Sequence, residues 1–297
     1  MPPTTHLLLG PRAADDAPLA DTVAGLQRAG HDLATHRLEG PGHATRLARE
    51  LATAEPTPHA IIAAGGDGTL NETLNGLLTA SLDDPPALGV LPYGTANDFA
   101  TFLGHAPDAP ADALADLLAV EPRPVDVGEI NGRYFLNVAT AGLAAEATAD
   151  TPAPLKSLLG ETAYSISAFF KFVRADRPHV TLHAASLDWE GDLFLLILGN
   201  AATAGGGQSV APDARLDDGL LDVILIPDAP PAELGAALYS LLIDHQAHHD
   251  GLITARVRTL QIETSDALTL NVDGETLDDM PLYHVSLHPR AMPLLMP

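Results

Sequence analysis

The segment that most constrains the fold is an apolar run, 59–64, which ends directly in Gly65-Gly66-Asp67-Gly68-Thr69. The residues that follow, 70–79, carry leucines at helical spacing. A buried strand that turns through glycines into a helix predicts a layered α/β structure. Such a turn leaves backbone N–H groups at a helix start, where anions bind, most commonly phosphate. Asp67 adds a carboxylate that can face a metal ion, so phosphate and metal chemistry is the first hypothesis.

Strands and helices alternate through the N-terminal part of the chain. Predicted strands are 7–9, 33–38, 59–64 and 87–91, and predicted helices are 19–29, 44–53, 70–79 and 111–120. This alternation predicts a mostly parallel sheet with helices on both faces. The strand 87–91 also leads into a polar loop, Gly94-Thr95-Ala96-Asn97-Asp98-Phe99. Both glycine-containing loops thus follow strand C-termini, where open α/β sheets bind ligands.

The pattern changes near Glu121-Pro122-Arg123-Pro124. Short strands follow, separated by turn signals such as Asn131-Gly132. Predicted strands are 125–130, 134–138, 179–183, 193–199, 220–226, 254–263, 267–272 and 283–287, and predicted helices are 155–173 and 231–245. Many short strands with hairpin turns predict an antiparallel β-sandwich or barrel. We therefore expect two domains with a boundary near Arg123 and an active site in the cleft between them.

Charge and cysteine content exclude several classes of function. Asp and Glu number 39 and Lys and Arg 15, so the formal net charge is −24. A surface this acidic repels nucleic-acid backbones, and DNA or RNA binding is therefore not expected. The chain has no cysteine, which excludes disulfides and thiolate chemistry. No window reaches the length of a membrane span and the start does not have the pattern of a signal peptide, so we expect a cytoplasmic protein.

Each glycine-containing loop has a structural and a functional interpretation. Asp67 can cap the helix that follows it, and Asn97 or Asp98 can cap a second helix start. Two such loops on neighbouring strands, however, supply N–H donors, hydroxyls and two carboxylates in one crevice. This combination favours a nucleotide–phosphate site over a pair of capped turns.

Two acidic turns in the C-terminal part leave alternatives open. Asn271-Val272-Asp273-Gly274-Glu275 is either a plain hairpin turn or the source of a carboxylate that takes a proton from an attacking alcohol. The turn 212–220 is either a solvated acidic loop or a Mg²⁺ site built from Asp218 and backbone carbonyls.

Five motifs, taken in order, resemble the bacterial diacylglycerol kinase catalytic-domain family, and most of all its YegS-type lipid kinases. The motifs are Gly65-Gly66-Asp67-Gly68-Thr69, Gly94-Thr95-Ala96-Asn97-Asp98-Phe99, Gly205-Gly206-Gly207, Asp218-Gly219-Leu220-Leu221-Asp222 and Asp273-Gly274-Glu275. The resemblance covers nearly the whole chain. It implies a Rossmann-like domain, 1–123, to which the chain end, 288–297, returns, and a β-sandwich domain, 124–287.

The same resemblance implies ATP- and Mg²⁺-dependent phosphorylation of a lipid hydroxyl, as in diacylglycerol or phosphatidylglycerol, during transient contact with a membrane surface. Residues carried over as nucleotide-binding are Arg12, Gly65, Gly66, Asp67, Gly68, Thr69, Leu70, Asn71, Gly94, Thr95 and Asn97. Asp67 and Asp98 would position the metal and phosphates. Glu275 would accept the proton, with Asp273 as its partner or rival. Asp218 and the carbonyls of Arg215 and Leu220 would hold a structural Mg²⁺ or Ca²⁺.

The chain departs from the family pattern in two places. Gly10-Pro11-Arg12 stands where the family often has an Asn-Pro-x-Ser-Gly-like or Asn-Gly-Lys-like turn, and Arg12 would replace a phosphate-facing lysine. Leu38 lies where a nucleotide-contacting threonine is common.

The apolar helix 155–173 either shelters an acyl chain or packs on the sandwich. Two other functions stay open, a kinase for a soluble substrate such as NAD and a nucleotide-binding regulator without turnover.

Overall fold

The computed structural model describes residues 4–80, 84–105, 110–142 and 177–296. The predicted helix 155–173 lies outside these residues. The chain forms two compact units, an N-terminal unit of Met1–Val127 with Pro289–Pro297 and a C-terminal unit of Gly128–His288. The first boundary therefore follows Val127, whereas the sequence places it near Arg123.

The N-terminal unit contains a parallel sheet, as the alternating pattern predicts. Its strands are β1 Thr5–Leu9, β2 Leu33–Arg37, β3 Ala60–Gly65 and β4 Ala87–Pro92, paired in the order β2-β1-β3-β4. β3 and β4 are buried along their whole length, as expected for strands covered on both faces. The end of the last strand returns to this sheet, where Leu294 pairs in parallel with Leu88.

Helices of the N-terminal unit connect these strands. They are α1 Pro11–Ala14, α2 Ala17–Arg28, α3 His43–Ala52, α4 Asp67–Ala80, α5 Asp98–Phe102 and α6 Pro110–Ala119. The predicted leucine face of α4 is buried, with Leu74 and Leu77 at 0% exposure. α3 packs closely on α4 at Gly76, where a Cβ atom would lie 2.4 Å from the Thr45 carbonyl oxygen. Only glycine permits this approach.

The C-terminal unit is antiparallel. Its strands are β5 Arg123–Ile130, which begins in the N-terminal unit, β6 Arg133–Phe135, β7 Val138–Gly142, β8 His179–Ala184, β9 Leu187–Gly199, β10 Thr203–Ala204, β11 Gln208–Ser209, β12 Leu221–Pro227, β13 Ile253–Val257, β14 Thr259–Thr264, β15 Leu270–Val272, β16 Glu275–Leu277 and β17 Leu282–Leu294, which ends in the N-terminal unit. The helix α7, Pro231–Leu242, follows β12.

The long strand β9 contributes to two layers. Its first half pairs with β8, and its second half pairs with β7 and β12. Apolar side chains of both layers share one core: Leu196, Leu198 and Val223 from one layer, and Leu182, Ile262 and Val285 from the other. The alternation of buried and exposed residues in β14 shows one face on this core and one in solvent. The predicted sandwich is therefore confirmed.

The predicted strands 254–263 and 283–287 differ from the observed ones in instructive ways. The predicted strand 254–263 is two strands, β13 and β14, because Arg258 lies outside strand structure and separates them. The predicted strand 283–287 extends to Leu294 as β17. Pro289 and Pro293 lie within this extension, and proline argues against strand structure when a sequence is examined alone.

Candidate functional site

The two glycine-containing loops of the N-terminal unit lie side by side. β3 and β4 pair in parallel with Gly65 opposite Pro92, so both strands end at one edge of the sheet. The N–H of Tyr93 donates to the Gly65 carbonyl oxygen at 2.9 Å, which joins the two loops at their first residues. The position matches the edge where open α/β sheets bind ligands.

Glycines are required because the backbones of these loops nearly touch. A Cβ atom on Gly94 would lie 2.4 Å from the Cα atom of Gly66, and one on Gly65 would lie 2.4 Å from Oγ1 of Thr69. Any larger residue would push the loops apart. The result is a cradle lined by peptide groups at the start of α4, which suits an anion such as phosphate.

Asp67 is the first residue of α4 and therefore lies inside the helix instead of capping it. Its Oδ1 accepts a hydrogen bond from the N–H of Phe99 at 3.3 Å, so it ties the first loop to the start of α5. Burial and the nearby charge of Asp98 raise the pKa of Asp67, while hydrogen bonds from backbone N–H groups oppose the rise. Two neighbouring carboxylates that repel each other have the oxygen ligands that a divalent cation prefers.

Asn97 organises the second loop. It precedes α5 in a left-handed conformation, with φ of 52°, and its side chain does not cap that helix. Its Oδ1 instead accepts from the N–H of Gly94 at 2.7 Å, and its Nδ2 donates to the Gly94 carbonyl oxygen at 3.1 Å. Asn97 therefore shapes the loop through its amide, and Thr95 is the exposed side chain of this loop.

Arg12 lies beside the second loop. It belongs to the short helix α1, directly after β1, and its Nη1 donates to the Gly94 carbonyl oxygen at 3.3 Å. The guanidinium is exposed, so it brings a positive charge to the loop edge while most of its donors remain open to a ligand.

The remaining predicted nucleotide-binding residues differ in accessibility. Gly66, Gly68 and Thr69 are partly exposed. Leu70 and Asn71 are 4% and 1% exposed, and the side chain of Asn75 donates to Asn71 at its carbonyl oxygen and its Oδ1. Side-chain contact from Leu70 with a ligand is excluded by its burial, so its predicted role is limited to its backbone.

The acidic hairpin of the C-terminal unit gives its two carboxylates different surroundings. Asp273 and Gly274 have φ of 48° and 92° and join β15 to β16. Three backbone N–H groups donate to the Asp273 oxygens at 2.9 to 3.0 Å, from Leu136, Asn137 and Val138. Glu275 is exposed at the start of β16. Asp273 thus anchors the turn, and Glu275 is the carboxylate that remains accessible to a substrate.

The predicted metal turn contains an ion pair. Oδ1 of Asp218 accepts from the N–H of Leu220 at 3.1 Å, and Oδ2 of Asp218 contacts Nη2 of Arg256. Nε of Arg256 also lies 3.6 Å from Oδ1 of Asp222. The side chain of Arg215 is exposed and lies 3.9 Å from Asp217, which leaves only its carbonyl as a metal ligand.

Asp222, on β12 directly after this turn, is an additional acidic residue to which the motif analysis gives no role. It is 8% exposed, and its Oδ2 is buried without a hydrogen-bond partner. Burial raises the pKa of Asp222 to about 6; the positive charge of Arg256 opposes this, and Asp218 and Asp213 add to it. An unsatisfied buried oxygen beside Asp218 fits a hard cation. Across the described residues, however, no three His, Cys, Asp or Glu side chains converge, so a metal here would also need carbonyl ligands.

Arg256 and Asp222 come together only through strand pairing. β12 and β13 are antiparallel, and Asp222 stands directly opposite Arg256. No local sequence pattern links the two residues. A correct prediction would have required the register of β12 against β13, which depends on the C-terminal core.

Within the described ranges, no helix is both long and apolar enough to cross a membrane.

Two family models match the chain. The model for the diacylglycerol kinase catalytic domain matches residues 10–130, and the model for the YegS C-terminal NAD kinase beta sandwich-like domain matches residues 137–296. Together they cover both units.

Known proteins resemble the chain over nearly its whole length. The probable lipid kinase YegS-like of Chromohalobacter salexigens is 38% identical over 97% of this chain and 90% of its own. The diacylglycerol kinase of Bacillus subtilis is 34% identical over 94% of this chain and 90% of its own. The crystal structure of a diacylglycerol kinase from Bacillus anthracis superimposes with a TM-score of 0.79 at 25% identity, covering 99% of this chain and 97% of that one.

Proposed function

The chain belongs to the diacylglycerol kinase catalytic-domain family, in its YegS-like branch, and we propose that it transfers the γ-phosphoryl group of ATP to a lipid hydroxyl. The observation that carries this proposal is the glycine cradle at the ends of β3 and β4, with Asp67 and Asp98 beside it. Family membership supports a lipid kinase. The nucleotide, the metal and the acceptor lipid belong to the proposal.

The N-terminal unit supplies the nucleotide site in this proposal. Peptide N–H groups of the two loops and the guanidinium of Arg12 offset the phosphate charge, since Arg12 already lies at the loop edge. Asp67 and Asp98 would hold Mg²⁺ beside the phosphates. When bound, Mg²⁺ neutralises charge on the phosphate oxygens and fixes their orientation.

The C-terminal unit supplies the proton acceptor. The lipid hydroxyl oxygen forms a bond to the γ-phosphorus as the bond to the bridging oxygen of ADP breaks, and the hydroxyl proton passes to Glu275. Glu275 suits this role because its side chain is exposed, whereas the Asp273 oxygens accept three backbone N–H groups. Asp273 would hold the turn from which Glu275 projects.

The acceptor is proposed to be a membrane lipid such as diacylglycerol or phosphatidylglycerol. Curated relatives are named lipid kinase and diacylglycerol kinase, and both names describe enzymes of lipid substrates. The protein would then act from the cytoplasm during transient contact with the membrane surface.

A phosphorylation assay tests the proposal. Purified protein is incubated with ATP, Mg²⁺ and detergent-dispersed diacylglycerol, phosphatidylglycerol or NAD, and new phosphomonoesters are identified by mass spectrometry. We expect product with a lipid and none with NAD. Product with NAD alone would favour the soluble-substrate kinase, and ATP binding without any product would favour the regulator.

Asp98→Asn provides the control for the assay. It removes one carboxylate beside Asp67 at the cradle while preserving side-chain size, so we expect loss of product with an unchanged thermal midpoint. Product formed by this variant at the wild-type rate would show that the activity comes from a contaminating kinase or from another site.

A further inference from the structure

Arg256, on β13, pairs with two acidic residues at the predicted metal site. It stands opposite Asp222 in the β12–β13 pair, and its guanidinium contacts Asp218 and lies 3.6 Å from Asp222. Opposite charges placed directly across antiparallel strands attract each other. One arginine therefore neutralises two carboxylates that a divalent cation would otherwise bridge.

The arginine satisfies this site incompletely. Oδ2 of Asp222 is buried and has no hydrogen-bond partner, although a guanidinium offers five N–H donors. A buried acceptor without a partner carries a desolvation cost. A small cation bound by both aspartates and by nearby carbonyls would relieve that cost, because hard cations prefer oxygen ligands.

The exposed fractions of Arg256, Asp218 and Asp222 show that the arginine is the side chain that can leave this ion pair. The side chain of Arg256 is 47% exposed, whereas those of Asp218 and Asp222 are 20% and 11% exposed. Arg256 can rotate into water with little loss of hydration, while the aspartates are held by the strand and the turn. Leu220 also fixes Asp218 through its backbone N–H.

We infer that Arg256 is an internal counter-ion that competes with a divalent cation for Asp218 and Asp222, and so sets the metal affinity of the C-terminal unit. The inference rests on the Asp218 metal site that the family resemblance implies, and it is independent of the proposed phosphoryl transfer. Asp222 joins Asp218 as a ligand when the guanidinium leaves.

Calcium titration calorimetry on chelator-treated full-length protein tests this inference. Arg256→Gln is compared with Arg258→Gln, because Arg258 is also exposed and the structure places it in no ion pair among the described residues. Each variant removes one positive charge. We expect the Kd for Ca²⁺ to fall at least tenfold in Arg256→Gln and to stay within twofold of wild type in Arg258→Gln.

Three results would overturn the inference. These are an unchanged Kd in Arg256→Gln, an equal gain in both variants, and no Ca²⁺ binding by any form. Lipid phosphorylation by the same preparations is measured separately. A negative calcium result would therefore overturn this inference without bearing on the proposed kinase activity.

A second variant identifies the ligand and guards against misfolding. Asp222→Asn added to Arg256→Gln should raise the Kd at least tenfold again, and a smaller change would exclude Asp222 as a ligand. Should Arg256→Gln fail to fold by circular dichroism, Arg256→Lys replaces it, since a lysine is a single point charge that cannot serve both carboxylates. A lysine variant with the wild-type Kd would contradict the competition.

Discussion

Several carboxylates in this protein accept hydrogen bonds from backbone N–H groups. Asp67 binds the start of α5, and Asp273 accepts three N–H groups of the β6–β7 connection. Sequence motifs identify both residues as candidates for chemistry but give no information on these contacts. The choice between Asp273 and Glu275 therefore depends on geometry, which the sequence leaves open.

Substitution of the two hairpin carboxylates should separate their roles. Glu275→Gln should lower kcat by about 10²- to 10⁴-fold, the usual contribution of a general base, with an unchanged unfolding midpoint because the side chain is exposed. Asp273→Asn should lower the free energy of unfolding by about 1.5–3 kcal/mol, because an amide offers one acceptor oxygen in place of two. Urea titrations and initial rates measure both effects. An Asp273→Asn protein that is fully stable yet inactive would make Asp273 the proton acceptor instead.

At the scale of single elements, the structure uses contacts that bridge elements distant in sequence. Glu72 on α4 accepts from the N–H groups of Gly42 and Ala44, at 2.7 and 3.1 Å, and so caps α3. His6 on β1 stacks on His36 of β2, with ring centroids 5.1 Å apart. The sequence predicts α3, α4, β1 and β2 but not these pairings, because each depends on the packing of one element against another.

The Glu72 cap predicts a measurable loss of stability. Glu72→Gln weakens an N-terminal cap and removes a negative charge from the positive end of α3, so we expect the free energy of unfolding to fall by about 0.5–2 kcal/mol. Glu50→Gln is the matched control, because Glu50 is exposed on α3 itself and should change stability by less than about 0.5 kcal/mol. Chemical denaturation compares the two, and equal effects would disprove the cap.

The His6–His36 pair predicts acid sensitivity. Burial lowers the pKa of both rings. The pKa of His6 is lowered further by the charge of His36 and raised by that of Asp32. The pKa of His36 is lowered further by the charge of His43. The unfolded chain therefore binds protons first as the pH falls below about 6.5. Stability should be constant above that pH and decline below it. His36→Gln should flatten this decline in denaturation curves between pH 7.5 and 5; an unchanged slope would assign it to other groups.

At the scale of the whole chain, composition and periodicity predict most of the architecture. The parallel sheet and the sandwich agree with the structure. The pairing of Leu294 with β4 is a feature that the family resemblance implies and that periodicity does not predict. The sequence predicts β17 too short, because Pro289 and Pro293 in its second half argue against strand structure. Leu294 at its end and Leu295 directly after it are nevertheless buried, with 0% and 2% exposure.

The returning segment should be essential to the N-terminal unit. Leu294→Ala should reduce the free energy of unfolding by about 2–5 kcal/mol, since it leaves a cavity beside β4. Ile243→Ala serves as control, because Ile243 is 40% exposed and its truncation should cost about 0.5 kcal/mol or less. Guanidinium titration measures both variants. Similar losses in the two would mean that the return of the chain adds no stability.

The pairing of Leu294 with Leu88 also constrains biosynthesis. β4 is made long before its neighbour on one side, the end of β17. While β17 is still inside the ribosome, the apolar edge of β4 has no partner on that side, and unpaired strand edges invite aggregation. The sheet of the N-terminal unit is therefore complete only after the C-terminal unit has been made, so we expect the nascent protein to bind chaperones.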